Sequence, residues 1–377
     1  MKCKLSDIAD VTMGQSPKSE FYNSEGIGMP FLQGNRTFGK RYPTFDTYTS
    51  KVTKTASAGD IIMSVRAPVG DLNITPIDMC LGRGVCGIRM KNANQDFLFY
   101  LLKYYMPSLL NKESGTVFGS VNRNDINGLE IEIPEDENQQ KRIARFLTMI
   151  DEKIENNDAI NDNLLQQAQN IFTQEFIDID DIPEGWKESS LLGIADYLNG
   201  LAMQKFRPKD DEHGLPVLKI KELRQGSCNA NSELCSPSIK PEYIVHDGDV
   251  IFSWSGSLLV DLWCGGTCGL NQHLFKVTSS TYDKWFYYAW TNHHLQKFIA
   301  IAADMATTMG HIKREELSKA VVLIPSKSDY ERIGGLLSPL YDLVVANRIE
   351  SRKLAALRDA LLPQLMSGQI DVSEVEL

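Results

Sequence analysis

Cys264 and Cys268, with His273 a few residues on, are residue types that can hold zinc. The spacing is Cys-x3-Cys, no second close pair follows, and the first half of the chain has no counterpart. A chance cluster of buried thiols is the expected reading. Gly82-Arg83-Gly84-Val85-Cys86-Gly87 fits G-x-G-x-x-G, a pattern that cradles a dinucleotide only when it joins a strand to a helix. Ile88-Arg89-Met90-Lys91-Asn92 follows and is strand-like, so a glycine-rich turn is expected instead. There is no Walker A loop, no nucleophile–base motif and no [Asp/Asn/Ser]-Pro-Pro-aromatic motif of an amino-methyltransferase. The sequence thus offers no metal, nucleotide or covalent chemistry of its own.

The elements around these residues explain more. The 377 residues suffice for two ordinary domains, with an apolar fraction of 42% and a charged fraction of 23%. No apolar run is long enough for a membrane span, and the start has no signal-peptide core. Seven irregularly spaced cysteines fit reduced thiols, so a cytoplasmic location is expected. The net charge of −10 argues by itself against phosphate binding. Its distribution argues less. Residues 1–135 hold 15 basic against 14 acidic side chains and 183–327 hold 15 against 16, whereas 136–182 hold 4 against 11 and 328–377 hold 5 against 8.

The two near-neutral blocks repeat each other. Ile8-Ala9-Asp10 returns as Ile194-Ala195-Asp196, Met29-Pro30-Phe31-Leu32 as Leu215-Pro216-Val217-Leu218, and Gly59 to Ser64 as Gly248 to Ser253. Gly119, Arg123 and Ile133-Pro134 match Gly310, Arg314 and Ile324-Pro325, and the offset stays between 186 and 191. Such a period means a duplicated domain and not a solenoid. Each block reads as short strands broken by Gly, Pro and Asn, with at least one helix such as Gln95–Leu110. A helical stretch follows each block, at 136–177 and 328–366, the second with Gly334-Gly335 and Pro339 that predict a bend. Ile143, Leu147, Ile150, Ile154, Asn157, Asn161, Leu164, Ala168 and Ile171 are spaced 4-3-4-3, as are Ile333, Leu337, Leu340, Val344, Asn347, Ser351, Leu354, Arg358 and Leu361. This is a coiled-coil seam. Its partner is the other helix of the chain, or else each stripe caps its own domain. If the helices pack antiparallel, Asn157 and Asn347 meet side chain to side chain at mid-helix and fix the register.

Leu357-Arg358-Asp359-Ala360-Leu361-Leu362-Pro363-Gln364-Leu365-Met366-Ser367-Gly368 resembles the C-terminal conserved region of type I restriction–modification specificity subunits. Ile150 to Asn157, then Leu165 to Phe176, resembles their central conserved region. Pro183-Glu184-Gly185-Trp186 with Leu192 to Ala195 resembles the lead-in to a target recognition domain. The first half departs from that pattern and starts directly at Lys4-Leu5-Ser6-Asp7. The resemblance implies an α+β architecture. Target recognition domains at 1–135 and 183–327 would be separated by two long antiparallel conserved helices, 136–178 and 328–366, forming a coiled coil before a tail at 367–377. It also implies partners: double-stranded DNA, two methyltransferase (M) subunits and motor/nuclease (R) subunits, with S-adenosylmethionine, ATP and Mg held by those partners.

Base readout needs side chains that reach base edges, and affinity needs contacts to phosphate. In the first block the candidates are Arg36, Lys40, Arg41, Arg66, Arg83, Asn122 and Arg123. In the second they are Lys205, Arg207, Lys219, Lys221, Arg224, Asn271, Gln272, His273, His311, Lys313 and Arg314. Arg123 and Arg314 stand out because they occupy matched positions after a glycine turn. For any one candidate a solvated surface group is the expected reading, Arg123 and Arg314 stand evenly between the two, and His273 can equally be a satisfied core histidine. A divergent DNA methyltransferase, a specificity subunit of a type II-like system, or a scaffold that binds proteins are the alternatives. Lacking any catalytic constellation, the purified chain alone is expected neither to methylate nor to cleave duplex DNA. Methyl transfer from S-adenosylmethionine by the isolated chain would refute this.

Overall fold

The computed structural model describes residues 1–110, 119–304 and 312–372. The chain divides into two compact units, one made of Met1–Glu152 with the segment from Ala355 onward, the other of Lys153–Leu354. Each unit therefore takes one repeated block and part of both long helices.

Within the first unit, an antiparallel sheet has the strand order Ala9–Met13, Val85–Met90, Ile61–Ser64, Leu72–Ile74. The second unit repeats it as Asp196–Asn199, Leu274–Thr278, Val250–Ser253, Leu259–Leu262. Strands Ile61–Ser64 and Val250–Ser253 are buried along their whole length. Successive side chains of a strand face opposite ways, so each strand serves two cores. Ile61 and Met63 join the cluster under helix Gln95–Leu110, and Ile62 joins the one formed with Leu32, Leu81 and Val85. Val250 and Phe252 pack with helix Lys284–Asp304, whereas Ile251 packs with Leu218 and Leu270. Two-stranded ladders close the blocks, Lys2–Lys4 with Glu130–Glu132 and Lys187–Ser190 with Val321–Ile324. Among the described residues, no helix is long and apolar enough to cross a membrane.

The second sheet of each unit contains one parallel pair. Met29–Leu32 runs parallel to Met79–Leu81, flanked by Tyr48–Thr49 and Thr55–Ala56. Leu215–Leu218 runs parallel to Cys268–Leu270, flanked by Leu234–Cys235 and Ile244–Val245. Parallel neighbours send their following loops out at the same edge, and the candidate interface grows from that fact.

The first long helix runs Glu137–Phe172 and ends in a wider turn, Thr173–Ile177. The second runs Lys327–Met366 and carries Gly334 and Pro339 without a break. Gly334 is there for packing, since a Cβ would come within 2.9 Å of the Trp285 indole nitrogen. In the second unit the helices are antiparallel, as Arg332 grips Glu175 through two bonds of 2.7 Å while Lys153 meets Glu350 at 3.2 Å. Ala168, Phe172 and Phe176 share a core with Ile333, Leu337 and Tyr341. Arg348 and Arg352 then tie the second helix to its block through Asp261 at 2.7 Å and through both oxygens of Asp247 at 2.7 and 2.8 Å. The Arg352 guanidinium holds the Asp247 carboxyl below the usual carboxylate range.

The polar centre of the seam differs from the expectation. Asn157, fully buried, does not pair with the Asn347 side chain. Its amide donates to Glu350 Oε2 at 2.7 Å, to Ser351 Oγ at 3.2 Å and to the Asn347 backbone carbonyl at 3.4 Å, whereas the Asn347 amide donates to Asn161 Oδ1 at 2.9 Å. Asn347 thus sits between two seam positions one turn apart. The seam is locked by a staggered polar cluster rather than by one amide pair.

In the first unit, Ile143 and Leu147 pack with Leu362, Leu365 and Met366. Seam residue Arg358 bonds Asp151, which also accepts from Tyr100 Oη at 2.7 Å. Burial, and next the nearby Asp151 charge, raise the Tyr100 hydroxyl well above its usual pKa. Deleting Asp151 removes the acceptor of the buried Tyr100 hydroxyl and leaves Arg358 only its exposed neighbour Asp359, 2.7 Å away, and breaking such a buried pair costs up to about 3–5 kcal/mol. Asp151→Ala is accordingly expected to lower the denaturant midpoint of the chain sharply. Asp151→Leu with Arg358→Met should cost less than either single change. Equal losses in the single and double variants would show that the pair is not coupled.

Candidate nucleic-acid interface

At the common edge of the second unit, Leu218 leads into Lys219-Ile220-Lys221 and Leu270 into Asn271-Gln272-His273. The Asn271 N–H donates to the Leu218 carbonyl at 3.2 Å, and the Leu201 N–H to the Leu270 carbonyl at 2.9 Å. Gly200 makes this crossing possible, because a Cβ there would lie 2.2 Å from the Asn271 carbonyl oxygen. The first unit builds the same crossing. Gly82 N–H donates to Leu32 at 2.8 Å, Gln15 N–H to Leu81 at 2.9 Å, and a Cβ on Gly14 would lie 2.0 Å from the Gly82 carbonyl. Gly82 and Gly84 are themselves pressed against Leu32 and Gln33 backbone, at 2.5 and 2.4 Å from an added Cβ. The glycines of the G-x-G-x-x-G run serve this crossing, and strand Val85–Met90 follows where a dinucleotide site needs a helix.

Six candidates of the second block converge on one open cleft of about 470 Å³: Arg207, Lys219, Lys221, Asn271, Gln272 and His273. Gln204, Ile220 and Glu233 complete its wall. A second depression of about 430 Å³ also includes Lys221, with Arg224, Gln225 and Ser257. Glu233 was not legible as a site residue, since nothing in its loop marks it. It accepts from Lys219 at 2.6 Å and lies 3.4 Å from Arg207. Lys219 first, then Arg207, hold its carboxyl below the usual range. His273 Nδ1 meets Ser255 Oγ at 3.1 Å and its Nε2 meets Gln272 Nε2 at 3.2 Å, while Asn271 Oδ1 accepts from the His273 N–H at 3.3 Å. Cys264 Sγ faces the Leu262 carbonyl at 3.5 Å. These groups have local hydrogen-bond partners and do not converge as a ligand set.

Several candidates have other work. Arg41 is buried, 7% exposed, with its guanidinium against the Phe99 ring and 3.3 Å from Asp96, so it faces the domain interior and not a ligand. Arg36 makes two 2.8 Å bonds to Asp46 and holds that carboxyl low. Asn122 caps helix Arg123–Asn127, accepting from Asn124 N–H at 2.8 Å and Asp125 N–H at 3.2 Å. Asn271 is buried, 6% exposed, and supports the loop. Arg123 donates to the Val11 carbonyl at 2.9 Å and Arg314 to the Tyr197 carbonyl at 3.1 Å. Val11 and Tyr197 are themselves matched strand residues, paired with Ile88 and Val277. The repeated arginine is therefore a repeated strut from a short helix to a strand. Arg66, Arg83, Lys205, Lys221 and Arg224 are exposed, with no side-chain hydrogen bond or ion pair among the described residues. Lys40 is exposed beside the Phe38–Pro43 bridge, and Lys313 is exposed and helps lower the Glu315 carboxyl. His311 lies outside the described residues.

The chain is a duplicated α+β frame that repeats the same glycine-backed crossing beside a parallel strand pair in each copy. The family model described as the type I restriction modification DNA specificity domain matches residues 1–166 and 183–357, and the chain belongs to that family. It is 24% identical over 409 residues to the type I restriction enzyme MjaIX specificity subunit of Methanocaldococcus jannaschii, covering 99% of this chain and 94% of that protein. It is 45% identical over 147 residues to the putative MjaX specificity subunit of the same organism, a match that takes in 38% of this chain and spans only 34% of that protein. The fold is that of the type I restriction–modification S subunit from M. genitalium, with a TM-score of 0.60, 15% identity, and coverage of 97% of this chain and 96% of that one.

The strut geometry sets an expectation for the matched arginines. Arg123→Ala and Arg314→Ala should each lower stability by about 1 kcal/mol, the usual worth of one such bond, and leave any base preference as it was. Denaturant titration and selection of DNA ligands measure the two effects. A changed base preference in either variant would return that arginine to the reading surface.

Proposed function

We propose that this chain selects DNA sequence for a type I restriction–modification complex and performs no chemistry itself. Each unit reads one half of a bipartite duplex target. The long helices dock two M subunits, which bind S-adenosylmethionine and methylate. R subunits, where present, add ATP- and Mg-dependent cleavage.

One observation carries this reading: the same glycine-backed crossing occurs twice, and each copy offers different side chains at its exposed edge. A constant frame with interchangeable reading groups is what a two-part target needs. The overall charge of −10 does not oppose it. The excess acid lies in the segments 136–182 and 328–377, while Lys221 and Arg224 line the second depression, where they can meet phosphate.

Exchanging residues 1–135 for the first block of another family member tests the reading. Methylome sequencing of cells that carry the chimera with its methyltransferase should show one half of the modified motif replaced and the other kept. Change in both halves, or in neither, would contradict it.

A further inference from the structure

The two crossings agree in backbone and differ in the residue at their tip. Arg83 follows Gly82 in the first unit, and Gln272 follows Asn271 in the second. The neighbouring glycines and Asn271 are occupied with backbone support, as described above. Arg83 and Gln272 are the side chains that each crossing leaves turned to other duty. Arg83 is exposed, and its guanidinium has no hydrogen-bond or ionic partner among the described residues. It offers N–H donors only.

Gln272 is different because one end of its amide is held. Its Nε2 lies 3.2 Å from His273 Nε2. An amide nitrogen only donates, so that ring nitrogen accepts. The ring proton is then on Nδ1, which donates to Ser255 Oγ at 3.1 Å. Ser255 is buried and His273 half-buried, and Asn271 Oδ1 fixes the His273 backbone at 3.3 Å. In this arrangement the amide gives one of its two N–H groups to the ring. One N–H and the carbonyl oxygen are left for the open cleft that Gln272 lines.

We infer that the residue at the crossing tip is the base-reading position of each unit, with Arg83 selecting guanine and Gln272 selecting adenine. Guanine presents two acceptors in the major groove, N7 and O6, which suit an all-donor guanidinium. Adenine presents an N6 donor beside the N7 acceptor, which suits the remaining N–H and oxygen of Gln272. His273 is a positioning residue that acts through Gln272. The inference rests on the DNA-reading function proposed above and goes beyond it by assigning a base to each tip.

The test is selection of duplex ligands from a randomised library by the full-length chain, followed by sequencing. The parent should enrich a motif with a guanine in one half and an adenine in the other. Gln272→Arg should convert that one adenine to guanine, and Arg83→Gln should convert the one guanine to adenine, with all other positions unchanged. Gln272→Ala should lose about 5- to 150-fold of preference at that position alone. His273→Ala, which frees the amide to turn, should relax the same adenine without changing the other half. Thermal unfolding of each variant confirms folding, and Gln272→Ala carries the test if Gln272→Arg does not fold. A motif unchanged in the tip variants, or a uniform loss of affinity with no change of base, overturns the inference and leaves the DNA-reading function standing. A parent chain that enriches no sequence overturns both.

Discussion

Everything at the candidate interface depends on two carbonyls that a Cβ would strike. At Gly14 and Gly200 the chain crosses the end of a parallel strand pair at a distance that only glycine permits. The crossing lets Gln15 and Leu201 donate to the last strand residues, Leu81 and Leu270, and so pins the loops that follow them. Those loops are short and sit on strands buried on both faces, so their tips inherit the rigidity of the sheet. A reading group gains from such support because a small displacement costs it both bonds of a bidentate contact. The bonds of the crossing are made by backbone groups, so they do not depend on which side chain stands at the tip.

Charge follows the same division. Most cations near the sheets are already matched by carboxylates or carbonyls, including Arg36, Arg207, Lys219, Arg348 and Arg352. They fix loops and helices in place. Among the described residues, Arg66, Arg83, Lys205, Lys221 and Arg224 are candidates that make no such side-chain contact. A chain with net charge −10 can in this way keep unpaired cations at one edge.

Much of the architecture was legible because it rests on local pattern. The duplication showed in runs such as Gly59 to Ser64 and Gly248 to Ser253, and the strands Ile61–Ser64 and Val250–Ser253 lie there. The helix Gln95–Leu110 and both long helices followed from period, although the first carries Pro107 and the last Gly334, Gly335 and Pro339. The site was legible only in outline. Asn271, Gln272 and His273 do line a cleft with Lys219 and Lys221. The roles of Arg123 and Arg314 were not readable, because a side chain that reaches a carbonyl more than a hundred residues away leaves no trace in its neighbours. Arg41 was hidden for the same reason, since its Phe99 and Asp96 neighbours come from a distant helix. The Asn157 and Asn347 seam positions were recognisable as polar, but which amide meets which partner depends on a stagger of one turn that periodicity does not fix.

The division of the chain also orders its biosynthesis. The second unit is one continuous stretch, Lys153–Leu354, whereas the first needs residues from Ala355 onward to cover Ile143 and Leu147. On the ribosome the first unit begins early and stays unfinished until Leu362, Leu365 and Met366 emerge. A product released before that point holds a complete second unit beside a first unit with an uncovered apolar helix face. The closing segment therefore completes the first unit last, although that unit holds the first residues to be made.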